Sequence, residues 1–342
     1  MIKVVTFGEI MLRLSPPNLE RFLQSPMFVA TFGGGEANVA VSLAQFGLES
    51  WYVTKLPAHA IGDAAVRALR AEGVRTEAIV RGGDRVGIYY AEGGASQRAS
   101  TVIYDRAQSA ITGLEANAVA WADLFRDAAW FHVTGISPAL GATAAETTRT
   151  AVNAAKAAGA RVSIDLNYRK KLWTPAQAQA AMRPLVTGID TVIANEEDLQ
   201  NVLGVRVEGT DVTAGHLDLT AYQQAARTVA RDFGVRLVAI TLRESVSASD
   251  NGWSAVLWDE STQLFHHSQH YDLRVIDRIG GGDSFAGGLI YGLTTGRAPE
   301  AALRFAVAAS ALKHSIPGDF NRMTVDEVDR LAAGDGSGRV QR

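Results

Sequence analysis

The stretch Asp277-Arg-Ile-Gly-Gly-Gly-Asp-Ser-Phe-Ala-Gly-Gly288 sets three consecutive glycines before an aspartate and runs directly into Leu289-Ile-Tyr-Gly-Leu293, an apolar segment that reads as helix. A helix N-terminus gathers unpaired backbone N–H groups and the positive end of the dipole, so a glycine-rich turn feeding one can hold an anion closely. Taken alone, such a run also describes a tight turn between strand and helix. Asp283 changes the balance. A carboxylate in the first helical turn is favoured by the dipole and can serve as a cap or as a general base. A base beside an anion cradle is what phosphoryl transfer to a hydroxyl requires. Two common phosphate fingerprints are missing: no Gly-Lys pair exists to complete a GxxxxGK[ST] loop, and no GxGxxG spacing occurs. Walker-type nucleotide hydrolysis and ordinary dinucleotide binding therefore lose their main support.

Outward from this stretch, short β-branched and aromatic runs alternate with alanine-rich segments of helical spacing. The runs are Val4–Leu12, Trp51–Lys55, Ala129–Ile136, Arg161–Leu166, Thr191–Ala194 and Leu237–Leu242. The alternation predicts an α/β protein with a mostly parallel central sheet and helices on both faces. Helices are expected over Ala142–Ala158 and Ala298–Leu312. Two regions, 13–32 and 80–106, carry turn signals and strand-like pieces without a helix, and predict a small antiparallel β-layer, a candidate lid. A hairpin is expected over Ala248–Asp272. These elements are read as one domain over residues 1–334, followed by a tail at 335–342.

The chain has 342 residues, 47% hydrophobic, with no cysteine and a formal charge of −3. Disulfides, thiolate metal sites and a cysteine nucleophile are excluded. No dense basic block points to nucleic acid, and no apolar run reaches the roughly 20 residues of a membrane span. A cytoplasmic protein with a small-molecule partner is the expectation. His266, His267 and His270 lack an accompanying carboxylate pattern and read as an exposed hairpin rather than a metal site.

A second glycine loop, Gly33-Gly-Gly-Glu-Ala-Asn38, precedes an apolar helix, and Asn38 offers an amide that both donates and accepts. Together with Asp277–Gly288, it resembles the paired signatures of the ribokinase-like carbohydrate kinases. Further pieces are similar to the members of that family acting on 2-keto-3-deoxygluconate: FGEIMLRLSPP, Tyr104-Asp-Arg106, Asp165-Leu-Asn-Tyr-Arg169, Ala194-Asn-Glu-Glu-Asp198, Thr241-Leu-Arg-Glu-Ser245 and Lys313-His-Ser-Ile-Pro-Gly-Asp319. These pieces span the chain in order.

The resemblance implies that ATP is the donor and Mg²⁺ its companion, with Asp283 as base and Gly280, Gly281 and Gly282 as anion hole. It implies sugar contacts from Gly34, Gly35, Asn38, Tyr89 or Tyr90, Tyr104, Arg106, Arg169 and Asp319. It places Asn195, Thr241, Arg243, Gly280 and Gly282 on the nucleotide, and Glu197 and Asp198 near the metal. The two arginines fit independently, because a sugar acid carries a carboxylate that a planar guanidinium holds well. Departures from the family are Gly281 where alanine is usual, Arg278 after Asp277, Pro57 in place of glycine, and Asp198 for a glutamate. The alternatives are a kinase of fructose or of 2-keto-3-deoxygalactonate, and a non-catalytic sugar-acid sensor. An intact Asp283 speaks against the sensor. Open strand edges in the β-layer make a homo-oligomer the expectation.

Overall fold

The computed structural model describes residues 1–207 and 218–338. Its centre is a nine-stranded sheet. From one side, the strands run Leu264–His267, Asp250–Asp259, Leu237–Ser245, Thr191–Ala194, Arg161–Asp165, Ala128–Thr134, Lys3–Phe7 and Glu49–Val53, with Tyr271–Arg274 also pairing to Asp250–Asp259. Pairings from Glu49–Val53 through Leu237–Ser245 are all parallel, and those involving Asp250–Asp259 are antiparallel. The mostly parallel sheet read from the sequence is thus present.

Alternation along each strand builds two cores. Val5, Phe131, Val162, Val192, Val238 and Val256 face one way, against helices Ala142–Ala157, Pro175–Val186 and Leu219–Phe233. Val4, Trp130, Ile193, Ala239 and Leu257 face the other, against helices Gly35–Gln45, Gly281–Thr294 and Pro299–Lys313. Burial on both faces explains why these strands read as continuous apolar runs rather than as polar-apolar alternation. Small residues bring the second helix layer close: a Cβ at Gly288 or Gly292 would crowd Ala306 and Ala302 of the neighbouring helix.

Three expectations need correction. Val4–Leu12 is not one strand but two, Lys3–Phe7 in the large sheet and Met11–Ser15 in a separate small one. The small sheet, ordered Val29–Gly33, Met11–Ser15, Ile88–Glu92, Thr101–Asp105, is not purely antiparallel: Met11–Ser15 and Ile88–Glu92 run parallel. The late hairpin's second arm is broken, and Leu264–His267 and Tyr271–Arg274 pair separately with the long strand. His270 falls in that break, with Glu244 and Asp272 beside it. Predicted helices 142–158 and 298–312 appear as Ala142–Ala157 and Pro299–Lys313. Among the described residues, no helix is long and apolar enough to cross a membrane. Of the expected tail at 335–342, residues 339–342 lie outside the described residues.

Candidate active site

The C-terminal ends of the parallel strands open into a cavity of about 490 Å³, where α/β sheets usually present ligands. Asp165 and Asn167, Ala194 and Asn195, and Thr241 and Arg243 come from successive strand ends; Met11, Tyr89, Tyr104 and Arg106 come from the small sheet or its edge. Every site residue expected from the sequence lines this cavity except Gly281 and the alternative tyrosine Tyr90. His266, His267 and His270 do not line it.

The anion loop is shaped by neighbours distant in sequence. Gly280 has φ +84, and a Cβ there would overlap the Asp319 carbonyl oxygen. Both facts demand glycine. Gly281 opens the helix Gly281–Thr294, and the place its Cβ would take is filled by the His314 ring. Ser310 Oγ donates to the Gly281 carbonyl at 2.7 Å, and His314 Nδ1 lies 2.7 Å from the Ser310 carbonyl. Burial lowers His314 to about 4, so its ring is neutral near pH 7. A Cβ at Gly282, by contrast, would meet nothing within 4 Å. The first N–H groups of this helix have no intrahelical acceptor; that of Gly281 donates at 3.4 Å to the Arg278 carbonyl.

Asp283 is held by Asn38, whose Nδ2 donates to Oδ2 at 2.7 Å, while Asn38 Oδ1 accepts from the Gly34 N–H at 3.2 Å. Both ends of the Asn38 amide are therefore engaged within the protein. Burial raises the Asp283 carboxyl to about 7, with the Asn38 bond and Arg169 opposing and the Asp319 and Glu36 charges adding. Asp165 is raised as well, by burial and then by Asp198 and Asp283. The half-buried Asp283 and the buried Asp165 thus stand close enough for one anion to disfavour the other.

The residues expected to contact the sugar are engaged with one another rather than free. Arg106 donates through Nε to Glu9 at 2.8 Å and also pairs with it through Nη2. Glu9 further accepts from Ser109 Oγ. The Arg106 guanidinium lies 5.4 Å from the Tyr104 ring centroid. Arg169 makes no ion pair within 4 Å among the described residues, and its Nη1 donates to the Tyr168 carbonyl at 3.0 Å. Asp319 accepts from Tyr89 Oη at 2.7 Å and from Arg13 Nη1 at 2.8 Å. Arg13 also pairs with Asp277 at 2.7 Å, joining the small sheet to both loops. Burial opposes the Arg13 charge, yet Asp277 and Asp319 more than offset it and raise its pKa. Tyr90, the other tyrosine considered, packs edge-on against Phe28 and does not line the cavity.

On the opposite side, Asn195 caps a short helix, accepting from the Asp198 N–H at 2.8 Å. Asp198 accepts from the Tyr168 N–H at 2.8 Å and the Asn195 N–H at 3.3 Å, so its carboxylate first ties two strand ends together. Glu197 is exposed, and Glu196, which the sequence did not single out, lines the cavity under the influence of Arg243. Among the described residues, no three acidic or histidine side chains converge into a metal cage. That suits an ion held mainly by phosphates and water.

Glu9, Arg13, Asp165, Asn167 and Glu36 escaped the sequence reading. Asn167 is left-handed, φ 40, a conformation asparagine tolerates, and it stands between Asp165 and Arg169. Glu36 is fully buried and accepts from Thr134 N and Oγ1 and from Ser137 Oγ, fastening the first glycine loop to the sheet.

The chain matches the pfkB family of carbohydrate kinases over residues 1–322. It is 35% identical over 338 residues to a 2-dehydro-3-deoxygalactonokinase of Haloferax volcanii, spanning 98% of each. It is 28% identical to a Bacillus subtilis 2-dehydro-3-deoxygluconokinase, over 95% of this chain and 94% of that one. The crystal structure of 2-dehydro-3-deoxygluconokinase from Thermotoga maritima superposes with a TM-score of 0.94 at 48% identity, covering 98% of this chain and 100% of that one. With matches of this extent, the chain belongs to the pfkB family of carbohydrate kinases.

Proposed function

We propose that this kinase transfers the γ-phosphoryl group of ATP to the primary hydroxyl of 2-keto-3-deoxygluconate, giving 2-keto-3-deoxy-6-phosphogluconate. The observation that carries the proposal is that Asp283, in the first turn of the helix that follows the glycine loop, lines one cavity together with Arg106 and Arg169. The 48% identity to the Thermotoga maritima 2-dehydro-3-deoxygluconokinase supports 2-keto-3-deoxygluconate over its galactonate epimer, as the 2-dehydro-3-deoxygalactonokinase of Haloferax volcanii shares 35%.

In this mechanism, Asp283 takes the proton of the attacking hydroxyl, and Asn38 aims its carboxylate. The N–H groups at Gly280–Gly282 and the helix dipole receive the charge on the moving phosphoryl group. Arg169, without a carboxylate partner of its own, holds the sugar-acid carboxylate. Arg106 joins it once drawn from Glu9, and Tyr89 and Asp319 close that end of the pocket. Asn195, Thr241 and Arg243 face the nucleotide. Glu196 and Glu197, with Asp198 behind them, would meet a Mg²⁺ ion brought by ATP, which would supply neutralisation of phosphate charge. The small sheet, with Tyr104 and Arg106 at its edge, acts as a lid that keeps competing water from the acceptor site.

Release of ADP, measured in parallel on 2-keto-3-deoxygluconate, 2-keto-3-deoxygalactonate and fructose, tests the substrate. The gluconate acid is expected to give the highest kcat/KM. Fructose turning over best would remove the role given to the arginines, and a preference for the galactonate acid would move the assignment to the epimer.

The open space at Gly282 yields a second expectation. Gly282→Ala adds a methyl group that meets no protein atom within 4 Å, and alanine is the better helix former by about 0.5–1 kcal/mol. The variant should melt no lower than wild type yet lose at least tenfold in kcat/KM, because the methyl occupies phosphoryl space. A variant of full activity would place the phosphates elsewhere.

A further inference from the structure

Lys313 has no role in the mechanism above, yet its side chain is completely buried, 0% exposed, in the last turn of the helix Pro299–Lys313. Its recorded hydrogen bond is weak, from Nζ to the Ile316 carbonyl at 3.3 Å. No carboxylate lies within 4 Å of it among the described residues. Burial of an ammonium without a paired carboxylate is expensive, and it lowers the Lys313 pKa. Helix-terminus attraction would be satisfied as well by a lysine reaching into solvent.

Its surroundings indicate what the buried charge faces. Lys313 Cε lies 3.2 Å from the point where a Cβ on Gly280 would stand, so the side chain runs directly behind the anion loop. The adjoining residues of the same helix end also grip this loop: Ser310 binds the Gly281 carbonyl, and the His314 carbonyl accepts from the Ile276 N–H at 2.8 Å. The charges that act on Lys313 are Asp277, Asp319, Arg13 and Asp283, all on elements forming the cavity floor. Arg13 pairs with Asp277 and Asp319, and Arg278 also acts on Asp277, so with Asp283 ionised three carboxylates face two guanidiniums, one negative charge in excess. A further cation behind the loop balances it.

We propose that Lys313 is a built-in cation backing the anion loop: it offsets the excess carboxylate charge beneath the glycines and thereby lets the loop accept the developing negative charge of the phosphoryl group. Lys313 is a positioning residue, reaching the reaction only through Gly280 and the loop. A fixed charge in a water-poor interior acts at longer range than one in solvent. The inference needs only phosphoryl transfer, with whichever acceptor the wild-type chain turns over fastest, so an error in the sugar assignment leaves it standing.

The test compares Lys313→Met and Lys313→Ala with wild type by thermal melting and steady-state kinetics. Methionine removes the cost of burying an ammonium but leaves the carboxylate excess unbalanced, so the melting temperature serves only to show that the variant is folded. Lys313→Met is expected to lose at least tenfold in kcat, with the sugar KM within threefold. In Lys313→Ala, ammonium or methylammonium chloride at constant ionic strength should recover several-fold of the lost kcat, and tetramethylammonium, too large for the vacated space, should not. Wild-type kcat in the methionine variant overturns the proposal. So does a loss in the alanine variant that small ammonium ions leave unchanged, and this arm decides the matter if the methionine variant fails to fold.

Discussion

Asp283→Asn is expected to lower kcat by at least a hundredfold while making the folded protein more resistant to heat at neutral pH. Loss of turnover follows from removing the carboxylate that touches Asn38 in the first turn of the helix after the glycine loop. The stability gain follows from burial. A carboxyl raised from 3.8 to about 7 is disfavoured as an anion in the fold, on the order of 4 kcal/mol once fully ionised. Because the folded-state value is the higher one, the stability contributed by the protonated acid is complete below about pH 4 and is lost as pH rises through 7. Asparagine is neutral throughout. The melting-temperature difference between variant and wild type should therefore open between pH 4 and 7 and level off above it. In the same window, wild-type kcat/KM should climb with pH on a limb that belongs to the coupled carboxylates, and the residual activity of the variant should lack the Asp283 part of it. Wild-type turnover in Asp283→Asn would assign the base elsewhere.

Arg169→Ala should raise KM for the sugar acid 30- to 100-fold with kcat changed less than threefold, as expected for loss of a charge-assisted bond worth about 2–3 kcal/mol. The corresponding change at Arg106 is a poorer probe. Arg106 is ion-paired with Glu9, and both side chains are largely buried, at 10% and 3% exposure. Truncating the arginine leaves a buried carboxylate without its partner, a loss of about 3–5 kcal/mol that would reduce folded enzyme as well as affinity. Arg106→Ala combined with Glu9→Gln removes both charges. This pair should regain most of the lost melting temperature and still show the raised KM. An unchanged KM in Arg169→Ala would mean that the carboxylate is bound elsewhere, or that the acceptor has none.

Much of this site was legible because its signals are local. The glycines of the anion loop, Asp283 three residues after Gly280, and the strand Thr191–Ala194 with Asn195 at its end all announce themselves within a few residues. What escaped depends on partners far apart in the chain. Glu9 lies inside an apolar run, and its pairing with Arg106 spans 97 residues. Arg13 sits at an inward position of Met11–Ser15, which alternation alone would assign to an apolar side chain, and its partners lie 264 and 306 residues away. The break after Phe7 was hidden for a related reason. Gly8 lies where a Cβ would overlap the Glu36 carboxylate, so the chain leaves the large sheet at a point fixed by a distant helix rather than by a local turn signal. The same holds for the parallel pairing of Met11–Ser15 with Ile88–Glu92, which no hairpin connects.

The His314 ring in the space beside Gly281 couples what these two positions can tolerate. A lineage exchanging this glycine for the family's usual alanine must first pass through a smaller residue at 314, because the reverse order places a methyl group inside an imidazole ring. A smaller residue at 314 before that exchange leaves a hole under the loop. Neither single step is free, so the pair should drift together or not at all. An anion loop grafted here from an alanine-bearing relative will function only if residue 314 travels with it.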